Sequence, residues 1–267
     1  MLRPFLSTFS VSSAARTAGR LLAVALLGMA AVSCSNSTVP APEQGLEYYP
    51  IAVGNFWTYA VTDSSWTQAS VSNPTSTLRA DTYQFRETII STFTDAASET
   101  AYRMVRAKRV PPATEWKDDS VFTLSATPHT VVLNRNNLRS VELIFPVREG
   151  HLWNANAFNN NSNDTITAET RRYSKLGQPL TTTVGGVSQT YPLTLTTTDE
   201  GKAKEEDSYY TKTYRQVYAK GVGPVQRQRR RFARYYNISS GGTVTFVPNA
   251  FIYGFSRTET LVDYGPR

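Results

Sequence analysis

Thr82-Tyr83-Gln84-Phe85-Arg86-Glu87-Thr88-Ile89-Ile90-Ser91-Thr92-Phe93 is the stretch that decides the fold. Its aromatic and β-branched residues suit a pleated, half-buried surface, and Tyr83, Phe85 and Ile89 fall on one side of an extended chain. After a short polar interval, Ala101-Tyr102-Arg103-Met104-Val105-Arg106-Ala107 follows as the expected hairpin partner. The interval itself, 94–100, leaves room for one short helix.

Upstream, Phe56-Trp57-Thr58-Tyr59-Ala60-Val61 follows a Gly54-Asn55 turn signal and reads as the first strand. Downstream, strands are predicted at 120–126, 130–134, 141–146, 165–172, 191–198, 209–218, 225–236, 243–247 and 251–262. Polar loops are expected at 159–164 and 175–186, and a turn at Ser239-Ser240-Gly241-Gly242. About a dozen strands at hairpin spacing, with no helical stripe beyond the first 33 residues, predict a mainly β protein. The expected architecture is one large curved antiparallel sheet or half-barrel over 47–267.

The amino terminus is of another kind. Arg3, Arg16 and Arg20 precede the apolar run Leu21 to Ser33, and the first acidic residue is Glu43. A basic region, a dozen or so apolar residues and small residues at the end form a secretory signal pattern, too short for the roughly 20 residues that span a bilayer. The run ends at Cys34, the single cysteine of the chain. Residues 34–46 are mostly small and polar with two prolines, and read as a flexible tether.

Ala31-Val32-Ser33-Cys34 resembles the bacterial lipobox, with Ala31 where leucine is usual. The resemblance implies cleavage before Cys34, acylation of its thiol and attachment to a membrane, with 1–33 as signal peptide. No acidic surface-export tag follows Cys34, which points to an outer-membrane protein facing the periplasm. A second resemblance lies in Tyr48-Tyr49-Pro50-Ile51-Ala52-Val53-Gly54-Asn55-Phe56-Trp57-Thr58-Tyr59, Gly150-His151-Leu152-Trp153 and Val217-Tyr218-Ala219-Lys220-Gly221-Val222-Gly223-Pro224-Val225. These phrases are similar to segments of bacterial secreted and lipid-anchored proteins shaped like the lipoprotein-carrier half-barrels. The resemblance implies a fold and transfers no catalytic residue.

Loss of the leader takes 28 basic residues to 25, against 21 acidic ones. That is an ordinary surface balance for a domain of this size and argues against a nucleic-acid partner. His129 and His151 are the only histidines, and no nucleophile elbow, zinc-protease helix or calcium loop occurs. Asp118-Asp119 and Glu205-Glu206-Asp207 read as solvated loops. The expectation is a non-enzymatic protein without cofactor or metal.

Two features suggest binding. Trp57 and Tyr59 share one strand face, as core anchors or as the wall of a ligand cavity. In Arg227-Gln228-Arg229-Arg230-Arg231-Phe232-Ala233-Arg234, the side chains of Arg227, Arg229 and Arg231 share a face. Such a run suits a solvated strand at a sheet face or edge, or a patch that meets an amphipathic lipid or an anionic envelope polymer. The expected function is binding of an amphipathic ligand or envelope assembly, the alternative a surface glycan-binding or adhesion module.

Overall fold

The computed structural model describes residues 44–159, 169–199 and 209–266. Leader, Cys34 and most of the tether lie outside these residues, as do 160–168 and Glu205-Glu206-Asp207. The described chain is nearly all β: a 3-10 turn at Leu46–Tyr48 precedes twelve strands. They are β1 (Phe56–Trp66), β2 (Leu78–Thr94), β3 (Thr100–Arg109), β4 (Lys117–Ala126), β5 (Thr130–Arg135) and β6 (Leu138–Ile144). The second half contributes β7 (Leu152–Asn154), β8 (Thr170–Val184), β9 (Val187–Asp199), β10 (Tyr210–Ala219), β11 (Gly223–Ile238) and β12 (Val244–Gly265).

All twelve form one antiparallel sheet in the order β6-β5-β4-β3-β2-β1-β12-β11-β10-β9-β8-β7. Two six-stranded meanders thus meet where the first strand pairs with the last. The two edges, β6 and β7, are consecutive in the chain, and this forces curvature. Flat, twelve strands at about 4.8 Å spacing would hold their edges about 50 Å apart. The link from Ile144 to Leu152 spans no more than about 28 Å even when fully extended.

The sheet therefore curls until its edges meet, nearly closing a barrel. Val141 N–H donates to the carbonyl of Ala155 at 2.8 Å, just past β7. Trp153 Nε1 donates to the Val141 carbonyl at 2.9 Å. Tyr173 Oη on β8 both donates to the Ile144 carbonyl and accepts from its N–H, each at 2.8 Å. Main-chain and side-chain groups from β7, β8 and the residue after β7 thus occupy the open ladder of β6, which covers an edge that an open sheet would expose.

The curved antiparallel sheet matches the sequence reading, and several elements correct it. The segment 94–100 holds no helix, because Asp95 Oδ1 accepts from the N–H groups of Ala97 and Glu99 and fixes a turn. Residues 175–186 are the far half of β8 and its hairpin turn; Lys175 and Gly177 adopt positive φ within an irregular stretch, after which pairing with β9 resumes at Gln178 and, past a second shift, at Leu180. The stretches 243–247 and 251–262 are one bulged strand, β12. Asp118 and Asp119 are exposed but lie within β4. The arginine run occupies no edge: β11 is paired on both sides, with β10 and β12.

The core fills the barrel. Trp57, Tyr59, Tyr173, Tyr218, Ile89, Met104, Leu124, Leu143, Leu195 and Leu261 are all buried to within about 2% of their surface. Trp57 Nε1 donates to the carbonyl of Val222 at 2.6 Å and Tyr59 Oη to that of Pro224 at 2.9 Å. Gly223, between those carbonyls, has φ 105°, and a Cβ there would stand 2.8 Å from the Trp57 indole nitrogen. Only glycine combines that backbone with that approach.

Candidate functional site

The inner face carries charge as well as hydrocarbon. In β2 the inward row runs Tyr83, Phe85, Glu87, Ile89, and Glu87 is fully buried. Arg227 from β11 grips it with two bonds, Nη1 to Oε1 at 3.0 Å and Nη2 to Oε2 at 2.9 Å, and also donates to Glu259 Oε2 at 3.0 Å. Arg106 on β3 donates to Glu87 from Nε and Nη2. Its guanidinium also lies against the rings of Phe85 and Phe122, and that of Arg227 against Tyr59. Burial by itself would raise the Glu87 pKa, but Arg227 and Arg106 outweigh it and hold the carboxyl well below the usual range.

A second buried cluster centres on Glu142 of β6. Arg171 on β8 reaches it at 3.2 Å, Ser140 Oγ at 3.1 Å and Glu169 at 3.3 Å, while Tyr214 and Tyr218 turn their hydroxyls toward the same carboxylate. Gln216 links the two clusters. With its amide nitrogen facing Glu142 at 3.2 Å, its oxygen accepts from Tyr218 Oη at 3.0 Å and Arg227 Nε at 3.2 Å. A buried charge is tolerable only when paired and hydrogen-bonded, and this network supplies both conditions.

Above the second cluster lies a cavity of about 330 Å³. Its lining includes seven Arg or Lys residues (Arg135, Arg139, Arg171, Lys212, Arg229, Arg230 and Arg231) against three acids (Glu142, Glu169 and Asp199). Glu142 and Glu169 are engaged by Arg171. Among the described residues, Arg139, Lys212, Arg229 and Arg231 form no ion pair. Arg135 titrates below its ordinary value, through burial first and then the positive charges of Arg106 and Arg227. The cavity carries surplus positive charge in a partly dry setting, where Coulomb interactions are stronger than in water.

Asp199 is the exception at the rim. Burial, and then the neighbouring Glu169 carboxylate, raise its pKa to about 6 against the pull of Arg171 and Lys212. Near neutral pH this group gains or loses one negative charge beside the cationic lining.

The residues singled out in the sequence take distinct places. Arg227, Arg229 and Arg231 do share a face, the inner one: Arg227 is buried in the ion-pair network, while Arg229 and Arg231 are exposed at the cavity. Trp57 and Tyr59 belong to the filled core, below this cavity's lining. Cys34 lies outside the described residues. His129 and His151 are exposed, and neither lines the cavity. Sequence reasoning missed Glu87, Arg106, Glu142 and Arg171. The parity of β2, which sets Glu87 beside Phe85 and Ile89, was the available signal.

Among the described residues, no group of three or more His, Cys, Asp or Glu is placed to hold a metal, and no helix is long and apolar enough to cross a membrane. Comparison with protein-family models, with curated proteins and with solved structures finds no match.

Proposed function

We propose that this chain is a non-enzymatic binding protein of the bacterial cell envelope, held to a membrane through acylated Cys34, that takes up an anionic group at the cationic mouth of its barrel. The observation that carries this reading is the cavity lined by Arg229, Arg231, Arg139 and Lys212, cations without carboxylate partners among the described residues. The ion-pair network beneath keeps Arg227 and Arg171 neutralised and rigid, so the free charge is concentrated at the rim. The filled core argues for capture of a headgroup or polymer charge rather than of an acyl chain inside the barrel.

Two measurements test the reading. Titration of the purified protein with tripolyphosphate should give saturable, salt-sensitive binding that the double variant Arg229→Gln/Arg231→Gln weakens at least tenfold; equal binding by both proteins would sink the site. Cys34→Ala should move the protein from the membrane to the soluble fraction of an envelope extract, and unchanged fractionation would sink the anchor.

A further inference from the structure

The cationic cavity does not end at its rim. Lys212 and Arg231 also line a second recess of about 660 Å³, whose other walls include Tyr210, Ala233 and Tyr253. The strand register fixes the geometry of this recess. Tyr210 of β10 pairs with Ala233 of β11, and Ala233 pairs with Tyr253 of β12, so the three side chains stand on one face with the tyrosines on either side of a methyl group. That face is the inner one, shared with Arg227, Arg229 and Arg231. Tyr210 is 59% exposed and Tyr253 52%.

One pleat repeat further into the barrel, Lys212 is paired directly with Arg231. Like charges directly opposite one another across two strands repel, and neither has an ion-pair partner among the described residues. This placement has a use if an anion sits between them. The tyrosine slot adjoins that point, about 7 Å away along the strands.

We infer that the two features form one site for an acidic saccharide: a sugar ring held between Tyr210 and Tyr253 over Ala233, with its carboxylate or phosphate on Lys212 and Arg231. The inference rests on the anion-binding reading above and names its ligand class. The ordinary charge balance beyond the leader favours a sugar over a nucleic-acid base. Two strand spacings put the tyrosine backbones about 10 Å apart, and inward side chains converge on a concave face, which leaves the slot room for one ring-shaped guest. Ala233 supports the same conclusion, because any larger side chain would occupy the floor between the two rings.

The test uses the purified full chain and four probes in parallel calorimetric titrations: trigalacturonate, neutral galactotriose, tripolyphosphate and oligothymidylate. Trigalacturonate should bind at least tenfold more tightly than each of the other three. Tyr210→Ala/Tyr253→Ala should reduce trigalacturonate affinity at least tenfold and change tripolyphosphate affinity less than twofold, with Tyr210→Phe/Tyr253→Phe restoring saccharide binding. Trigalacturonate binding no better than tripolyphosphate, or weaker than oligothymidylate, overturns the saccharide assignment and leaves the anion site standing. Failure of tripolyphosphate and trigalacturonate alike overturns both.

Discussion

The indole of Trp57 donates its N–H to the carbonyl of Val222, 165 residues further along the chain, at 2.6 Å. This bond ties the first strand to the turn between β10 and β11, and so joins the segments 48–59 and 217–225. Lys220 and Glu47 form an ion pair at 3.3 Å in the same neighbourhood, and Gly221 N–H donates to the Glu47 carbonyl at 2.8 Å. The two segments are one structural unit, a plug in which the ring of Tyr49 packs against those of Trp57 and Tyr218, with Tyr48 buried as well.

The plug depends on Gly223. In Gly223→Ala, the new methyl would meet the indole at 2.8 Å and the backbone would sit at φ 105°, so strain and clash combine. The expected loss is about 3 kcal/mol, read as a lower urea midpoint at unchanged slope. Wild-type stability in this variant would refute the contact.

Closure of the barrel depends on Tyr173. Tyr173→Phe deletes one hydroxyl that makes two hydrogen bonds to Ile144 across the seam. Stability should fall by about 1–3 kcal/mol, and exchange of the Ile144 amide should accelerate more than that of amides in β1 and β12. A uniform change over all strands would mean that the seam does not open separately.

Glu87, Glu142 and Glu259 all have pKa values lowered by buried arginines that overcome the opposing effect of burial. Their stabilising contribution is complete above the unfolded value of about 4.3. It is lost as pH falls from there through the depressed folded values. The protein should lose stability steeply on acidification below about pH 4. Glu87→Gln, which leaves Arg227 and Arg106 uncompensated, should cost about 3–5 kcal/mol at pH 7 and flatten the acid limb. An acid limb as steep as that of the wild type would contradict the role given to Glu87.

Asp199 works with the opposite sign. Its folded pKa of about 6 lies above the unfolded value of about 3.9, so its ionisation disfavours the folded state as pH rises through that interval. Its charge also opposes an anion at the cavity. Sulfate, which does not titrate in this range, should bind more tightly at pH 5 than at pH 7.5, and Asp199→Asn should remove that dependence. An unchanged pH profile in the variant would assign the effect to another group.

Much of this fold was legible from period and punctuation. Alternation in 82–93 identified β2, and the neighbouring run 101–107 its partner, because one face of each strand is buried and the pattern must follow. The far half of β8 was not legible, since Gly177 and Pro179 are loop residues in isolation and pairing with β9 overrides them. The short β7 was missed because three residues carry no period. At the site, the shared face of Arg227, Arg229 and Arg231 could be read from parity, but their surroundings could not. Arg227 is buried because Glu87 and Glu259, far apart in sequence, meet it inside the barrel. An ion pair across 140 residues leaves no local trace in composition.

The central claim is that the cationic mouth of the barrel binds an anion. Chemical-shift mapping of the arginine Nε–H and backbone amide signals during titration with tripolyphosphate tests it most directly. The account predicts saturable shifts concentrated at Arg229, Arg231, Lys212 and Tyr214, with signals of the buried Arg106 unmoved. Shifts confined to other arginines outside the cavity, such as Arg86 and Arg103, or no saturable shift at millimolar tripolyphosphate, would contradict it.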